Sequence, residues 1–180
     1  MRTILAKTIT KNIKEMCIEA NYTLSKDVES AIIQSYDKEK SKTGKKILNQ
    51  LEKNMNIAKE ELIPICQDTG MAVIFINIGQ DVHITGMNIE EAINEGIRKG
   101  YKEGYLRNSI VKDPIERKNT NDNTPGIIHY NIVPGENIEI TVAPKGFGSE
   151  NMSSLKMFNP RCRRECLSTN VCRCRYWWRF

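Results

Sequence analysis

Apolar side chains at the start of the chain recur at helical spacing. Ile9, Ile13, Met16, Cys17 and Ala20 follow one another at intervals that keep them on one helix face. A second helix is predicted through Val28, Ala31 and Ile32, with Ser25 as its N-cap and Asp27 and Glu29 suited to the positive end of its dipole. Residues 38–46 read as a charged connector containing Gly44, and a third helix follows through Ile47, Leu48, Leu51 and Met55. The first sixty residues therefore read as helices.

The period then changes. Residues 72–78 are rich in Val and Ile and too short for a helix, which predicts a buried strand. Ile89, Ala92, Ile93 and Ile97 form the apolar face of a further helix, with Asn88 or Thr85 as its cap and two Gly-Tyr steps at its fraying end. Residues 112–125 carry a proline near each end and a run of Asn and Asp between, so they read as a loop. Its length favours a binding role or a subunit contact over plain linkage. Two strands, residues 126–133 and 138–142, are expected to form a hairpin through Pro134, Gly135, Glu136 and Asn137. The second runs into a glycine turn, with a helix expected from about Ser153, an arrangement that presents backbone N–H groups to an anion. The predicted fold class is α+β: an N-terminal helical layer followed by a small mixed β-sheet with packed helices.

Composition narrows the class. The 180 residues suffice for one core without disulfide staples. No apolar run has the length of a membrane-spanning helix, and Lys7, Lys11 and Lys14 break up any signal-peptide-like segment, so no membrane partner is expected and the cytoplasm is the expected compartment. Free or metal-bound thiols are then expected rather than disulfides. The net charge of +5 would suggest nucleic acid, yet residues 161–180 hold six arginines against one glutamate, which equals the whole of it. The remainder is neutral, and no nucleic-acid partner is expected for it.

The densest chemistry lies in Pro64-Ile65-Cys66-Gln67-Asp68-Thr69-Gly70, between a helix and a strand. A thiol, an amide, a carboxylate and a hydroxyl follow one another there, ending on a glycine that lets the backbone turn. Gln67, Asp68 and Thr69 can all reach a bound small molecule. A cysteine nucleophile would need His83 or His129 as base, and neither sits in a recognisable pattern. Zinc fails on spacing, because no second Cys or His is near, although a lone cysteine can serve a cluster with distant ligands. Cys17, beside Ile13 and Ala20, reads as a small core hydrophobe.

Three stretches in order, PICQDTG, GYLRNSIVKDPIERKNTNDNTPG from Gly104 and APKGFGSENMSSLKMFNP from Ala143, resemble the alpha subunit of two-subunit class I fumarate hydratases. L-tartrate dehydratase alpha subunits share the pattern, as do the N-terminal halves of single-chain iron–sulfur fumarases. The resemblance covers about residues 1–160. It implies a hydro-lyase that hydrates fumarate to L-malate reversibly, with L-tartrate dehydration as the alternative. It also implies a four-iron four-sulfur (4Fe-4S) cluster held by three cysteines, with one iron left as a Lewis acid. Cys66 matches the first cluster cysteine. Gln67 and Asp68 match substrate residues, Asp68 being the acid/base candidate, and Arg107 looks like the arginine that grips a substrate carboxylate. Gly146 and Gly148 match a glycine-rich turn near substrate or cluster, with Phe147 where many relatives have glycine. The implied partners are a dicarboxylate, a beta subunit and further copies in a homo- or hetero-oligomer.

After Pro160 the resemblance stops. Cys162, Cys166, Cys172 and Cys174 fit no common zinc or cluster spacing. The Arg, Cys and Trp excess is what a shifted reading frame produces, since Trp177 and Trp178 read one base later as glycines. Residues 161–180 are thus expected to be a non-family tail, two of three cluster cysteines are missing, and little or no activity is expected of the chain alone. A rearranged natural terminus is another reading of the tail. A non-enzymatic chain that binds metal or nucleic acid through it is the alternative of another class.

Overall fold

Strand β2, Met71–Gly79, is the axis of the fold. A computed structural model describes residues 1–148, and the chain divides into two units, residues 1–145 and 146–180. The first unit runs β1 (Arg2–Leu5), α1 (Ala6–Tyr22), α2 (Lys26–Lys38), α3 (Lys42–Glu61), β2, β3 (Val82–Thr85), α4 (Ile89–Glu103), β4 (Ile127–Val133) and β5 (Ile138–Lys145). It is an α+β architecture, with helices ahead of and packed on a small mixed sheet. Among the described residues no helix is long and apolar enough to cross a membrane.

Alternation along β2 decides where the core sits. Ala72, Ile74 and Ile76 are fully buried on one face, while Phe75 points outward and stacks on His129 with ring centroids 4.9 Å apart. The buried face lies in one cluster with Ile9, Ile13 and Cys17 of α1 and Ile93, Ile97 and Tyr101 of α4. Burial of each large aliphatic side chain is worth about 1.5–3 kcal/mol. The two helices approach closely because Gly96 and Gly100 of α4 leave room for Thr10 and Cys17. The Thr10 hydroxyl seals the contact by donating to the Ala92 carbonyl at 2.9 Å. Cys17 has no exposed surface, as a core hydrophobe should.

The expected hairpin does not form. The sheet order is β4-β2-β5, with β4 parallel and β5 antiparallel to β2. The most apolar strand takes the centre, where both of its edges are paired, and the 134–137 connection passes over its end. There Gln80 N–H donates to the Val133 carbonyl, Asp81 N–H to Gly135 and Gly79 N–H to Asn137. A side chain at Gly79 would collide with the Gly135 carbonyl, so the crossing requires glycine.

Other departures concern the N-terminal region. It is not wholly helical: β1 pairs in parallel with β3 as a separate two-stranded sheet, fixed by the Arg2 N–H on the Asp81 carbonyl and the Arg2 guanidinium on Asn137. Strands of four residues carry too little periodicity to be read. The charged connector shrinks to residues 39–41, because Ser41 caps α3 by accepting from the Gly44 N–H and Gly44 lies inside the helix. Ser25 does precede α2, without a side-chain capping bond, and Asn88 caps α4 by accepting from Glu90 N–H. No residue of α2 is buried, and α3 buries only Met55 and Ala58. Ile47 and Leu51, through which this helix was expected to run, stay 51% and 45% exposed. The helix expected from Ser153 and the four cysteines of the tail lie outside the described residues.

Candidate active site

The loop of residues 62–70 is formed by its anchors. Leu62 ends α3 in the left-handed region (φ 53°), which turns the chain off the helix axis. Ile65 is then held on both sides: its N–H donates to the Asn21 carbonyl at 3.0 Å, and its carbonyl accepts from the Asn54 amide at 3.0 Å. The chain is thus pinned to α1 and α3 one residue before Cys66. At the far end Gly70 adopts φ 60°, a conformation that glycine takes without strain, and leads into β2.

Between these anchors Cys66 is exposed, and it is a free thiol. Its Sγ lies 3.3 Å from Gln67 Oε1 and accepts the Asp68 N–H at 3.5 Å. Asp68 is half-buried. Thr69 is buried and ties the loop to its neighbours. Its hydroxyl accepts the Arg107 N–H at 2.9 Å, and its carbonyl accepts from the buried Tyr101 hydroxyl at 3.1 Å. Burial pushes the Tyr101 phenol well above its ordinary range, so it stays a neutral donor.

The second stretch, residues 104–126, is irregular as expected but closely tied. Asn108 donates to the Asn121 carbonyl and Asn119 to the Asn108 carbonyl, both at 2.9 Å. Asn123, with no exposed surface, accepts the Ser109 N–H at 2.7 Å and donates to the Gly70 carbonyl at 3.1 Å. Asn121 and Asn123 adopt positive φ, which asparagine tolerates better than most residues. The carboxyl of Asp122 is held down at about 2: burial opposes its charge, but bonds from Thr124 and Arg98 outweigh that.

Thr69 therefore ties the loop that carries Cys66, Gln67 and Asp68 to the Arg107 backbone, although the two stretches are far apart in sequence. Arg107 itself is exposed. Gly146 and Gly148 follow β5 at the start of the second unit. Sequence reasoning missed the supports Asn21, Asn54, Tyr101 and Asn123. Only Asn123 had a signal, the density of Asn in the 104–126 stretch. A groove of about 890 Å³ between α1 and α4 is a separate feature, lined by Lys14, Arg98, Glu95 and Glu103 among others. Several of its charges pair with one another, as in Lys14–Glu103 and Arg98–Glu95.

As a cluster ligand Cys66 has the right chemistry: an exposed thiol supported by a backbone N–H. It is one donor. Cys17 is enclosed in the core, and no group of three Cys, His, Asp or Glu among the described residues could hold a metal ion. The described residues therefore do not hold a cluster by themselves.

The family described as fumarate hydratase (fumerase) matches residues 10–173, a span that continues past the motifs quoted above. A protein of Methanocaldococcus jannaschii provisionally named L(+)-tartrate dehydratase subunit alpha is 39% identical over 158 residues, covering 84% of this chain and 55% of its own length. Mitochondrial fumarate hydratase 1 of Leishmania major is 34% identical over 75% of the chain, and anaerobic class I fumarate hydratase of Escherichia coli is 35% identical over 67%. The chain spans about half the length of the first of these relatives, and 26% and 22% of the other two. The chain belongs to the fumarate hydratase family.

Proposed function

We propose that this chain supplies the Cys66 loop of an iron–sulfur hydro-lyase of alpha-subunit type, acting on a small dicarboxylate together with a beta subunit. The observation that supports the reading is the Thr69–Arg107 bond, which ties the loop carrying the thiol and the carboxylate to the backbone of Arg107. L-tartrate is the preferred substrate. The similarity to the tartrate dehydratase subunit is higher in identity and takes in more of both proteins than the similarity to the two fumarate hydratases. Fumarate is the second reading, supported by the names of those relatives. This order reverses the expectation from sequence alone.

Dehydrating tartrate breaks one C–O bond and removes a proton from the adjacent carbon, whose C–H electron pair becomes the double bond. The hydroxyl leaves as water after gaining a proton, and the resulting enol tautomerises to a keto acid. A cluster with Cys66 among its ligands would supply Lewis acidity. Asp68, beside Cys66, is proposed to exchange the proton, a task for a positioned carboxylate. Arg107 offers a planar fork to a substrate carboxylate, and Gln67 a polar contact. Gly146 and Gly148 are proposed to lend backbone N–H groups. The buried Thr69, Tyr101 and Asn123 bonds hold the loop in place before substrate arrives.

The test is anaerobic purification of the chain with a co-produced beta subunit, followed by iron and sulfide analysis and assays with L-tartrate and fumarate. The reading expects iron and sulfide lost in Cys66→Ser, and kcat reduced about 10²–10⁴-fold in Asp68→Asn with iron retained. A tartrate preference supports the first substrate, and a fumarate preference replaces it by the second. Full iron content and turnover in Cys66→Ser would remove the proposal.

A further inference from the structure

Ile65 stands between two fixed peptide planes. The plane before it is held at the Ile65 N–H by the Asn21 carbonyl, and the plane after it at the Ile65 carbonyl by the Asn54 amide, both at 3.0 Å. That second plane is the Ile65–Cys66 peptide itself. A peptide unit is flat and rigid, so the direction of the Ile65 carbonyl also sets the N and Cα of Cys66. Asn54 thus acts on the thiol-bearing residue through one peptide bond, without touching the thiol.

The donor has a firm base. Asn54 is itself exposed, but it lies beside Met55 and one turn before Ala58, the two residues that α3 buries. Between α3 and Ile65 the chain reverses: Leu62 takes φ 53°, and the Ile63 N–H returns to the Ala58 carbonyl at 3.1 Å. The Asn54 bond, spanning eleven residues, closes that turn. Helix end, left-handed turn and loop start therefore form one closed unit.

The thiol has no such tie of its own. Among the described residues Cys66 Sγ meets members of its own loop, Gln67 Oε1 at 3.3 Å and the Asp68 N–H at 3.5 Å. Its placement against the helices is inherited from Ile65 on one side and from Thr69 on the other. Side chains that act at a site are held by supports of this kind, set on rigid elements.

We propose that Asn54 is a positioning residue for Cys66, and that through the Ile65 carbonyl it sets the direction in which the thiol leaves the loop. The inference rests on the reading of Cys66 as a metal ligand for its use in the reaction. Its test reads the thiol itself and needs neither metal nor activity. In the full chain, Asn54→Leu removes the donor at nearly constant size. Asn56→Leu makes the same change two residues on, at an exposed asparagine that forms no side-chain hydrogen bond among the described residues. Asn54→Leu is expected to speed hydrogen exchange at the Ile65 amide and alkylation of Cys66 by iodoacetamide about 5-fold each, the worth of one neutral hydrogen bond in a local opening equilibrium. Cys17, enclosed in the core, reports general loosening and should keep its wild-type rate. Asn54→Gln, which keeps the amide on a longer arm, should fall between Asn54→Leu and wild type, and Asn56→Leu should match wild type. Wild-type rates at both Ile65 and Cys66 in Asn54→Leu overturn the proposal. So does a rise shared by Cys17 or by Asn56→Leu, which marks loosening of the helix rather than loss of one bond. Iron retained in Cys66→Ser removes the metal reading and leaves the Asn54 result standing, so the two fail separately.

Discussion

Asn123 reaches Gly70 across the site: its side-chain amide, with no exposed surface, donates to the Gly70 carbonyl at 3.1 Å while its oxygen accepts the Ser109 N–H. One side chain thus fixes the end of the cysteine loop and the start of the asparagine-rich stretch. Asn123→Leu leaves a buried carbonyl and a part-buried N–H without partners, each costing about 1–3 kcal/mol. Chemical denaturation should show a loss of about 2–5 kcal/mol. A change under about 0.5 kcal/mol, within the usual range for surface substitutions, would contradict this role.

Thr69 carries the neighbouring joint. Thr69→Val keeps the shape but removes the acceptor of the Arg107 N–H, at a cost of about 1–3 kcal/mol. Thr69→Ser keeps the hydroxyl and should cost less than about 1 kcal/mol. Equal losses in the two variants would show that packing, not the hydrogen bond, is what matters.

Asp122 gives the fold a pH dependence of definite sign. Its folded pKa of about 2 lies below the ordinary 3.8, so its contribution is present in full above the ordinary value and is lost as pH falls through the folded one. The shift corresponds to about 1–2 kcal/mol once partial exposure and screening by solvent are allowed for. Asp122→Asn should therefore be less stable than wild type at neutral pH and converge with it near pH ~2. A gap that is constant with pH would rule out the charged carboxylate as the cause.

The two described thiols should differ sharply in reactivity. Burial raises Cys17 to about 12, whereas Cys66 is exposed and accepts an N–H. Alkylation of the native chain, mapped by mass spectrometry, should label Cys66 well before Cys17. Comparable rates would mean that the α1–α4 contact opens readily.

Gly79→Ala should destabilise the first unit by about 1–3 kcal/mol, because its side chain collides with the Gly135 carbonyl. The same substitution at Gly135 meets no atom but has φ 105°, so its cost comes from the backbone alone. Melting temperatures of the two variants, read beside wild type, test both statements.

Where burial and period coincide, the fold was legible in the sequence. Ile9, Ile13 and Cys17 announced α1, Ile93 and Ile97 announced α4, and the Val and Ile run announced β2. The pairing of β4 and β5 was not legible, because a good turn at Pro134 and Gly135 is equally compatible with a hairpin and with passage over a third strand. Competition for the edges of β2 decided between them, and that is a tertiary effect. Nor could α3 be read correctly: Ile47 and Met55 look alike in a helical pattern, yet one is half exposed and the other buried. For the site, Cys66, Asp68 and Arg107 were visible as chemical types. The bonds that align them were invisible, since backbone carbonyls at Ile65, Thr69 and Gly70 leave no trace in residue identity.

The crossing at Gly79 also bears on the order in which the chain is made. β2 leaves the ribosome before α4 and the whole 104–126 stretch, and only then do both of its neighbours arrive. Until that moment the most apolar strand carries two unsatisfied edges, and its later neighbours cannot shield it by zipping together first. The nascent chain is therefore most prone to aggregate in the interval between synthesis of Gly79 and of Lys145.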